Sequence, residues 1–111
     1  MLNVILVCQM GASTGMIAES IKKAAAGRNM EAVVNAYGLS ELNKVIDSAD
    51  IVLLGPQVRF NLTKLQKQYA DKHVPISVID TMDYGMMNGE NILNAILGIL
   101  KNEEEDYEYK R

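Results

Sequence analysis

The segment that decides the fold is residues 3–15, which read Asn-Val-Ile-Leu-Val-Cys-Gln-Met-Gly-Ala-Ser-Thr-Gly. Its first part, Asn3–Val7, is almost wholly apolar and rich in β-branched residues, which is typical of a strand buried on both faces of a parallel sheet. Ser13–Gly27 then places apolar residues near helical spacing and ends in glycine, a common helix stop. The chain therefore begins with a strand–loop–helix unit whose loop starts at Cys8.

The same alternation of strand and helix continues along the chain. Apolar β-branched runs predict three further strands, Glu31–Tyr37, Ile51–Leu54 and Pro75–Ile79. Helical spacing predicts Ser40–Ser48, capped by Ser40, then Phe60–Tyr69 and Glu90–Lys101, with a loop over Asp80–Gly89. Right-handed crossovers between parallel strands then predict an α/β fold with one doubly wound, four-stranded sheet, in the order 2-1-3-4, with helices on both faces.

Composition limits the class of protein. The 111 residues fit one domain, and 49% of them are apolar, which is enough for a core. The single cysteine excludes an internal disulfide and favours a reducing compartment, so we predict a cytoplasmic protein. The apolar runs are too short for a signal peptide or a membrane span. Polar helix surfaces favour a monomer.

The charge is concentrated at the C-terminus. Residues 102–111 hold five of the 14 acids and two of the 11 bases, so nine of each remain in residues 1–101. We therefore predict a domain over residues 1–101 and a charged, disordered tail over residues 102–111. A neutral body offers no basic face for phosphate backbones, which argues against nucleic acid as a partner.

Cys8 is the candidate nucleophile. The predicted strand order places it at the topological switch point, where ligands of open α/β sheets bind. The start of the following helix suits an anion and favours the thiolate over the thiol. Small residues let the backbone close around a phosphate, and hydroxyls add donors. The predicted phosphate-binding loop consists of Gln9, Met10, Gly11, Ala12, Ser13, Thr14 and Gly15.

Other readings of this loop remain open. A cysteine at the end of a buried strand is often only a small buried hydrophobe, and Ser13-Thr14 is often only a helix cap. A low-molecular-weight phosphatase or arsenate reductase would need an arginine in its C-x5-R loop, and Thr14 holds that position. Without that arginine, hydrolysis of a phosphoryl group on Cys8 should be slow, which suits a phosphate relay better than a phosphatase. A flavodoxin-like binding module is the third reading, although aromatic residues are few.

The single histidine, His73, bears on two further possibilities, a catalytic base for Cys8 and a metal site. His73 precedes the fourth strand, so we predict it at the opposite end of the sheet from Cys8, which argues against a Cys–His hydrolase. One cysteine and one histidine are too few ligands for a zinc site, so we predict no metal.

Three motifs carry a family resemblance. Cys8, Gly11, Ser13 and Thr14 are in register with a phosphocysteine loop of the form C-x-x-G-M-S-T-S, while Ala12 and Gly15 depart from it. The other two motifs are Val52–Gln57 and Val78-Ile79-Asp80 followed by Tyr84-Gly85. Over about residues 3–101 the chain resembles the lactose/cellobiose-type enzyme IIB component of the bacterial sugar phosphotransferase system.

The resemblance implies a mechanism. Cys8 would accept a phosphoryl group from a phosphohistidine of enzyme IIA and pass it to a sugar bound by the membrane-embedded enzyme IIC. The component would need no cofactor, and it would meet IIC at the inner face of the membrane.

The ends of the third and fourth strands should border the Cys8 loop. We predict Pro56, Gln57, Asp80 and Tyr84 at the edge of the site, where they would contact phosphate or a partner; Asp80 is alternatively a residue that structures its own loop. Arg59 is the nearest candidate cation, interpreted as a solvated helix residue. Exposed methionines suit a surface that meets several partners, and we expect Met10, Met86 and Met87 there.

Overall fold

The computed structural model describes residues 1–8 and 14–109 of the chain, with the side chains of residues 1–8 and 15–101. The strands are β1 (Leu2–Cys8), β2 (Ala32–Gly38), β3 (Ile51–Leu54) and β4 (Ile76–Val78). The helices are α1 (Thr14–Gly27), α2 (Leu42–Val45), α3 (Leu62–Gln68), α4 (Thr81–Gly85) and α5 (Gly89–Tyr109). The predicted strands and the first helix therefore lie where the sequence patterns placed them, within two residues at each end.

The four strands form one parallel sheet in the order β2-β1-β3-β4, which confirms the predicted topology. Val4 of β1 pairs with Val34 of β2 on one side and with Ile51 of β3 on the other. Strand order reverses between β1 and β3, so the switch point lies where these two strands end. We call this side of the sheet the carboxyl edge and the opposite side the amino edge.

Helices cover both faces of the sheet, because alternate residues of the central strands point in opposite directions. On one face, Val4 and Leu6 of β1 pack in a cluster with residues of α1 and α5. On the other, Ile5 and Val7 pack with residues of α2 and α3. The apolar stretch of β1, residues 4–7, is thus buried on both faces of the sheet, as a doubly wound fold requires.

The predicted second helix is broken into short pieces. Turns of 3₁₀-helix over Leu39–Glu41 and Ile46–Ser48 flank α2. The prediction that Ser40 caps this helix is wrong, because the helical segment begins one residue earlier. Instead, the backbone N–H of Gly38 donates to Oε1 of Glu41 at 3.0 Å.

The segment after β4 also differs from its prediction, because part of the expected loop is the helix α4. Oδ2 of Asp80 accepts hydrogen bonds from the backbone N–H groups of Met82 (3.0 Å) and Asp83 (3.1 Å). This is the geometry of an N-cap, which satisfies two donors of the first helical turn. The interpretation of Asp80 as a residue that structures its own loop is therefore confirmed.

The last helix is longer than the one predicted. α5 runs to Tyr109, past the expected end at Lys101, so its backbone includes most of the acidic segment. The division into a domain over residues 1–101 and a disordered tail stays a prediction. Among the described residues, no helix combines the length and the apolar character that a membrane crossing needs.

Candidate functional site

Cys8 is the last residue of β1 and lies at the carboxyl edge, opposite Gly38 of β2. Its position at the switch point is the one expected from the strand order. Only 4% of the residue is exposed, so Cys8 is buried. Its neighbours at this edge therefore decide what can reach the sulfur.

Gly55 brings the ends of three strands together. Its backbone N–H donates to the carbonyl of Val7 at 2.8 Å, which extends the pairing of β3 with β1 beyond the strand ends. A Cβ atom on Gly55 would lie 3.6 Å from Cβ of Cys8, 3.7 Å from Cε2 of Tyr84 and 2.7 Å from Oε1 of Gln57. Three residues predicted at the site thus surround one glycine.

The segment that follows β3 presents Gln57 to solvent. Pro56 begins a 3₁₀ segment, Pro56–Asn61, and is buried, as is Val58 two residues later. Gln57 lies exposed between these two buried residues. The buried pair fixes the backbone, so Gln57 is held at the rim with its carboxamide beside Gly55.

The segment that follows β4 places Tyr84 on the third side of Gly55. The N–H of Ile79 donates to the carbonyl of Leu54 at 2.9 Å, which holds this segment against β3. Asp80 then caps α4, and Tyr84 follows one turn later, with its N–H donating to the carbonyl of Asp80 at 2.9 Å. Asp80 therefore acts here as a residue that positions Tyr84.

Most of the predicted phosphate-binding loop, Gln9–Ser13, lies outside the described residues, as does the side chain of Thr14. The backbone of Thr14 begins α1. Gly15 is exposed in the first turn of α1, and an added Cβ there would meet nothing within 4 Å. Packing in the described part of the chain therefore does not require glycine at position 15.

His73 lies at the other end of the sheet, as predicted, in the turn that precedes β4. It cannot serve as a base for Cys8 from there. The described residues contain no group of three or more metal-ligating side chains that could hold an ion.

Exposed side chains at the carboxyl edge include several that sequence reasoning missed. Met86 (73%) and Met87 (43%) are exposed as expected, whereas Met10 lies outside the described residues. Phe60 (81%) and Met82 (71%) are exposed as well and were not predicted. Phe60 falls outside the helical register of the apolar residues on α3, which is the signal that could have identified it.

The fold and the site together define a class: a small, doubly wound α/β protein with a cysteine at the switch point of its sheet. The chain belongs to the family described as PTS system, Lactose/Cellobiose specific IIB subunit, whose family model matches residues 3–95. It is a phosphotransfer subunit of a sugar phosphotransferase system, and it works with IIA and IIC components. The phosphatase and flavodoxin-like readings are not favoured.

Three known proteins illustrate the similarity. The oligo-beta-mannoside-specific EIIB component of Bacillus subtilis (strain 168) is 32% identical over 103 residues, which cover 93% of this chain and 100% of that protein. The solution structure of the cellobiose-specific phosphotransferase IIB component of Borrelia burgdorferi is 40% identical, has a TM-score of 0.75, and covers 92% of this chain and 94% of its own. The lactose-specific EIICB component of Lactococcus lactis subsp. lactis is 30% identical over 66 residues, 60% of this chain and 12% of that protein.

Proposed function

We propose that Cys8 carries the phosphoryl group, which it accepts from a phosphohistidine of IIA and passes to a sugar bound by IIC. The observation that supports this proposal is the position of Cys8 at the switch point, beside Gly55 and within one cluster with Gln57 and Tyr84. Cys8 is also the only cysteine of the chain. A phosphocysteine intermediate therefore has one possible location.

Both steps are displacements at phosphorus. The thiolate of Cys8 attacks the phosphorus of the phosphohistidine, the P–S bond forms as the P–N bond breaks, and the electron pair stays on the imidazole nitrogen, which takes up a proton. In the second step a sugar hydroxyl attacks, the P–O bond forms as the P–S bond breaks, and the thiolate is regenerated while the hydroxyl proton leaves. The protein supplies positioning and charge stabilisation, and no cofactor is needed.

The loop between β1 and α1 would hold the transferred group. Backbone N–H groups of Gln9–Gly15 and the hydroxyls of Ser13 and Thr14 are the proposed donors, and the start of α1 adds a favourable dipole. None of the residues 9–15 is an arginine, and position 14, where the phosphatases have one, is threonine. The loop therefore offers no guanidinium. Hydrolysis of the phosphocysteine would therefore be slow, as a relay requires.

Access to the sulfur is a further element of the proposal. A residue that is 4% exposed cannot by itself contact a phosphohistidine on another protein. We propose that the rim yields when IIA docks, and that the exposed carboxamide of Gln57 beside Gly55 moves aside. Its neighbours Pro56 and Val58 are buried and would remain in place.

The sugar and the assembly are proposals of the same kind. The relatives are named for oligo-beta-mannoside, cellobiose and lactose, so similarity to them does not select one sugar. We propose that the IIC component selects the sugar, and that this chain is a cytoplasmic monomer that docks transiently on IIC at the inner face of the membrane. The name EIICB, which joins the two components in one relative, supports the pairing with IIC.

The test is the mass of the protein after incubation with a phosphorylated IIA component of the lactose/cellobiose type. The wild-type chain should gain about 80 Da, the mass of one phosphoryl group, on the peptide that contains Cys8. Cys8→Ala should show no gain and should melt like the wild type, which confirms that it is folded. An equal gain in Cys8→Ala would place the phosphoryl group on another residue. Turnover of a small aryl phosphate that depends on Cys8 would instead favour a phosphatase.

A further inference from the structure

The segment Pro56–Asn61, at the rim of the site, combines buried residues with two exposed side chains. Pro56 and Val58 are buried and anchor the backbone. Arg59 is exposed, and Phe60, at 81% exposure, is among the most exposed large apolar side chains described. A phenylalanine kept in solvent on an anchored backbone, three residues from the Gln57 whose carboxamide lies beside Gly55, forms no part of the core and requires another explanation.

Arg59 and Phe60 contact each other. The guanidinium carbon of Arg59 lies 5.1 Å from the centre of the Phe60 ring, which is a cation–π arrangement. Arg59 forms no ion pair with any residue in the described part of the chain. Arg28, by contrast, is paired with Glu90 at 2.6 Å. The ring therefore orients the Arg59 guanidinium, and no acid among the described residues occupies its donors.

The charges at the carboxyl edge make Arg59 distinctive. The chain segments that leave this edge are residues 9–13, 39–41, 55–61 and 79–88, and by sequence they contain one base, Arg59, and three acids. The acids are Glu41, Asp80 and Asp83. An incoming phosphoryl dianion therefore meets net negative charge, and Arg59 is the base in these segments that can offset it. Lys64 lies beyond them on α3, beside the groove that Asn43 and Gln68 line.

We propose that Arg59 and Phe60 form the docking element for the phosphorylated donor protein. Arg59 attracts the phosphohistidine side of the donor, and Phe60 packs against an apolar patch beside that histidine. The donor is the fitting occupant because it brings its phosphoryl dianion to this edge from outside. The acceptor arrives when the negative charge is already on this chain, so it gains nothing from a cation here. This inference rests on the proposed role of Cys8.

The test compares rates of phosphoryl transfer from phosphorylated IIA to the full-length chain at limiting IIA concentration. Arg59→Glu should slow transfer about tenfold or more at low salt, and the difference should shrink at about 0.3 M salt, because the attraction is screened. Lys67→Glu is the matched control, since it makes the same charge change on an exposed lysine of α3; it should stay within about twofold of the wild type. Arg59→Lys should retain most of the rate.

Phe60→Ala tests the apolar half of the docking element. It should raise the IIA concentration needed for half-maximal rate by about tenfold and leave the rate at saturating IIA unchanged, because the ring would act in binding and not in chemistry. An equal loss at saturating IIA would assign Phe60 to the chemical step and overturn its docking role.

The failure of this inference is distinguishable from the failure of the proposed function. If the wild type is labelled on Cys8 and Arg59→Glu is labelled as fast, the docking element is wrong while Cys8 keeps its role. If pre-phosphorylated Arg59→Glu loses transfer to IIC-bound sugar but accepts phosphate normally, the surface belongs to the acceptor and the inference is overturned. If the wild type is not labelled on Cys8, the proposed function itself fails. Unchanged melting temperatures will show that both Arg59 variants are folded.

Discussion

Gly55 and Gly89 both lie where a methyl group does not fit, but they lie in regions that serve different purposes. A Cβ on Gly55 would lie 2.7 Å from Oε1 of Gln57, the end of a flexible and exposed side chain at the carboxyl edge. A Cβ on Gly89 would overlap the backbone carbonyl of Ser20, in the middle of α1. A side chain can move aside at small cost, whereas a helix backbone cannot. The first glycine therefore keeps a site open, and the second permits two helices to pack.

Several contacts stabilise the packing of α1 against α5 near Gly89. Ala24 and Ala25 of α1 form a buried cluster with Leu93 of α5. Oδ1 of Asn88 accepts a hydrogen bond from the N–H of Asn91 at 3.1 Å and so caps the first turn of α5. Because α1 begins at Thr14, within the predicted phosphate-binding loop, this crossing supports the site from a distance.

Gly89→Ala should have the largest effect on stability. The methyl group would force α1 and α5 apart, and overpacking of this kind costs about 2–3 kcal/mol. We expect the melting temperature to fall by about 10 °C. Gly98→Ala is the matched control in the same helix, where an added Cβ meets nothing within 4 Å. It should stabilise the protein by about 0.5–1 kcal/mol. Equal melting temperatures for Gly89→Ala and Gly98→Ala would show that the packing of α1 against α5 does not require glycine at position 89.

Gly55→Ala should have a smaller effect, and on transfer more than on stability. The backbone angles of Gly55 (φ −62°, ψ 151°) are open to any residue, so no strain is added. The methyl group would displace the Gln57 carboxamide and fill the space beside Cys8 and Tyr84. We expect phosphoryl transfer from IIA to slow about tenfold, because small displacements at a reacting centre are costly.

The control for this change is Gly85→Ala at the same edge, where an added Cβ meets nothing within 4 Å. Its transfer rate should match that of the wild type. A folded Gly55→Ala variant that transfers phosphate at the wild-type rate would show that this glycine does not serve the site.

Lys72 at the amino edge should have the smallest effect. Its Nζ lies 2.9 Å from Oδ1 of Asp47, and this hydrogen bond, followed by the charge of Asp47, raises the pKa of Lys72 above its ordinary value of 10.5. A raised pKa means that the pair stabilises the fold below pH 10.5 and that this contribution is lost as the pH rises through the folded-state pKa. Ion pairs between exposed side chains contribute little to the stability of a fold.

Thermal unfolding of Lys72→Met at neutral and strongly alkaline pH will test this. We expect a small decrease in melting temperature at pH 7 that disappears well above pH 10.5. Lys67→Met, an exposed lysine without an ion pair among the described residues, should show no decrease at either pH. A decrease in the melting temperature of Lys72→Met that grows with pH would contradict the assignment of the pKa shift of Lys72 to Asp47.

Sequence patterns were reliable where a long apolar run is buried on both sides. Asn3–Val7 and Ile51–Leu54 can only be central strands, and from them the order 2-1-3-4 and the position of Cys8 follow. The patterns were less reliable for short polar segments. Gly38 and Glu41 take the place of the predicted cap Ser40, and the segment predicted as a loop contains the helix α4. Short helices depend on individual hydrogen bonds, which periodicity does not report.

The candidate site was predicted in the same uneven way. Cys8, Gln57 and Tyr84 were each expected at the carboxyl edge, because parallel strands end on the same side. Their convergence on Gly55 was not expected, since it depends on how three chain segments pack after their strands end. The exposure of Phe60 and its contact with Arg59 were missed for a related reason. The buried neighbours Pro56 and Val58, not helical periodicity, decide which way these side chains face.

The amino-acid sequence by itself determined the parallel sheet, its strand order and the end of the sheet at which Cys8 lies, because burial of β-branched runs is a property of local composition. Only the tertiary structure decided which side chains meet at Gly55, which glycine permits the crossing of α1 and α5, and which arginine lies against the Phe60 ring. These features depend on distances between segments far apart in the chain, and such distances exist only once the core has packed.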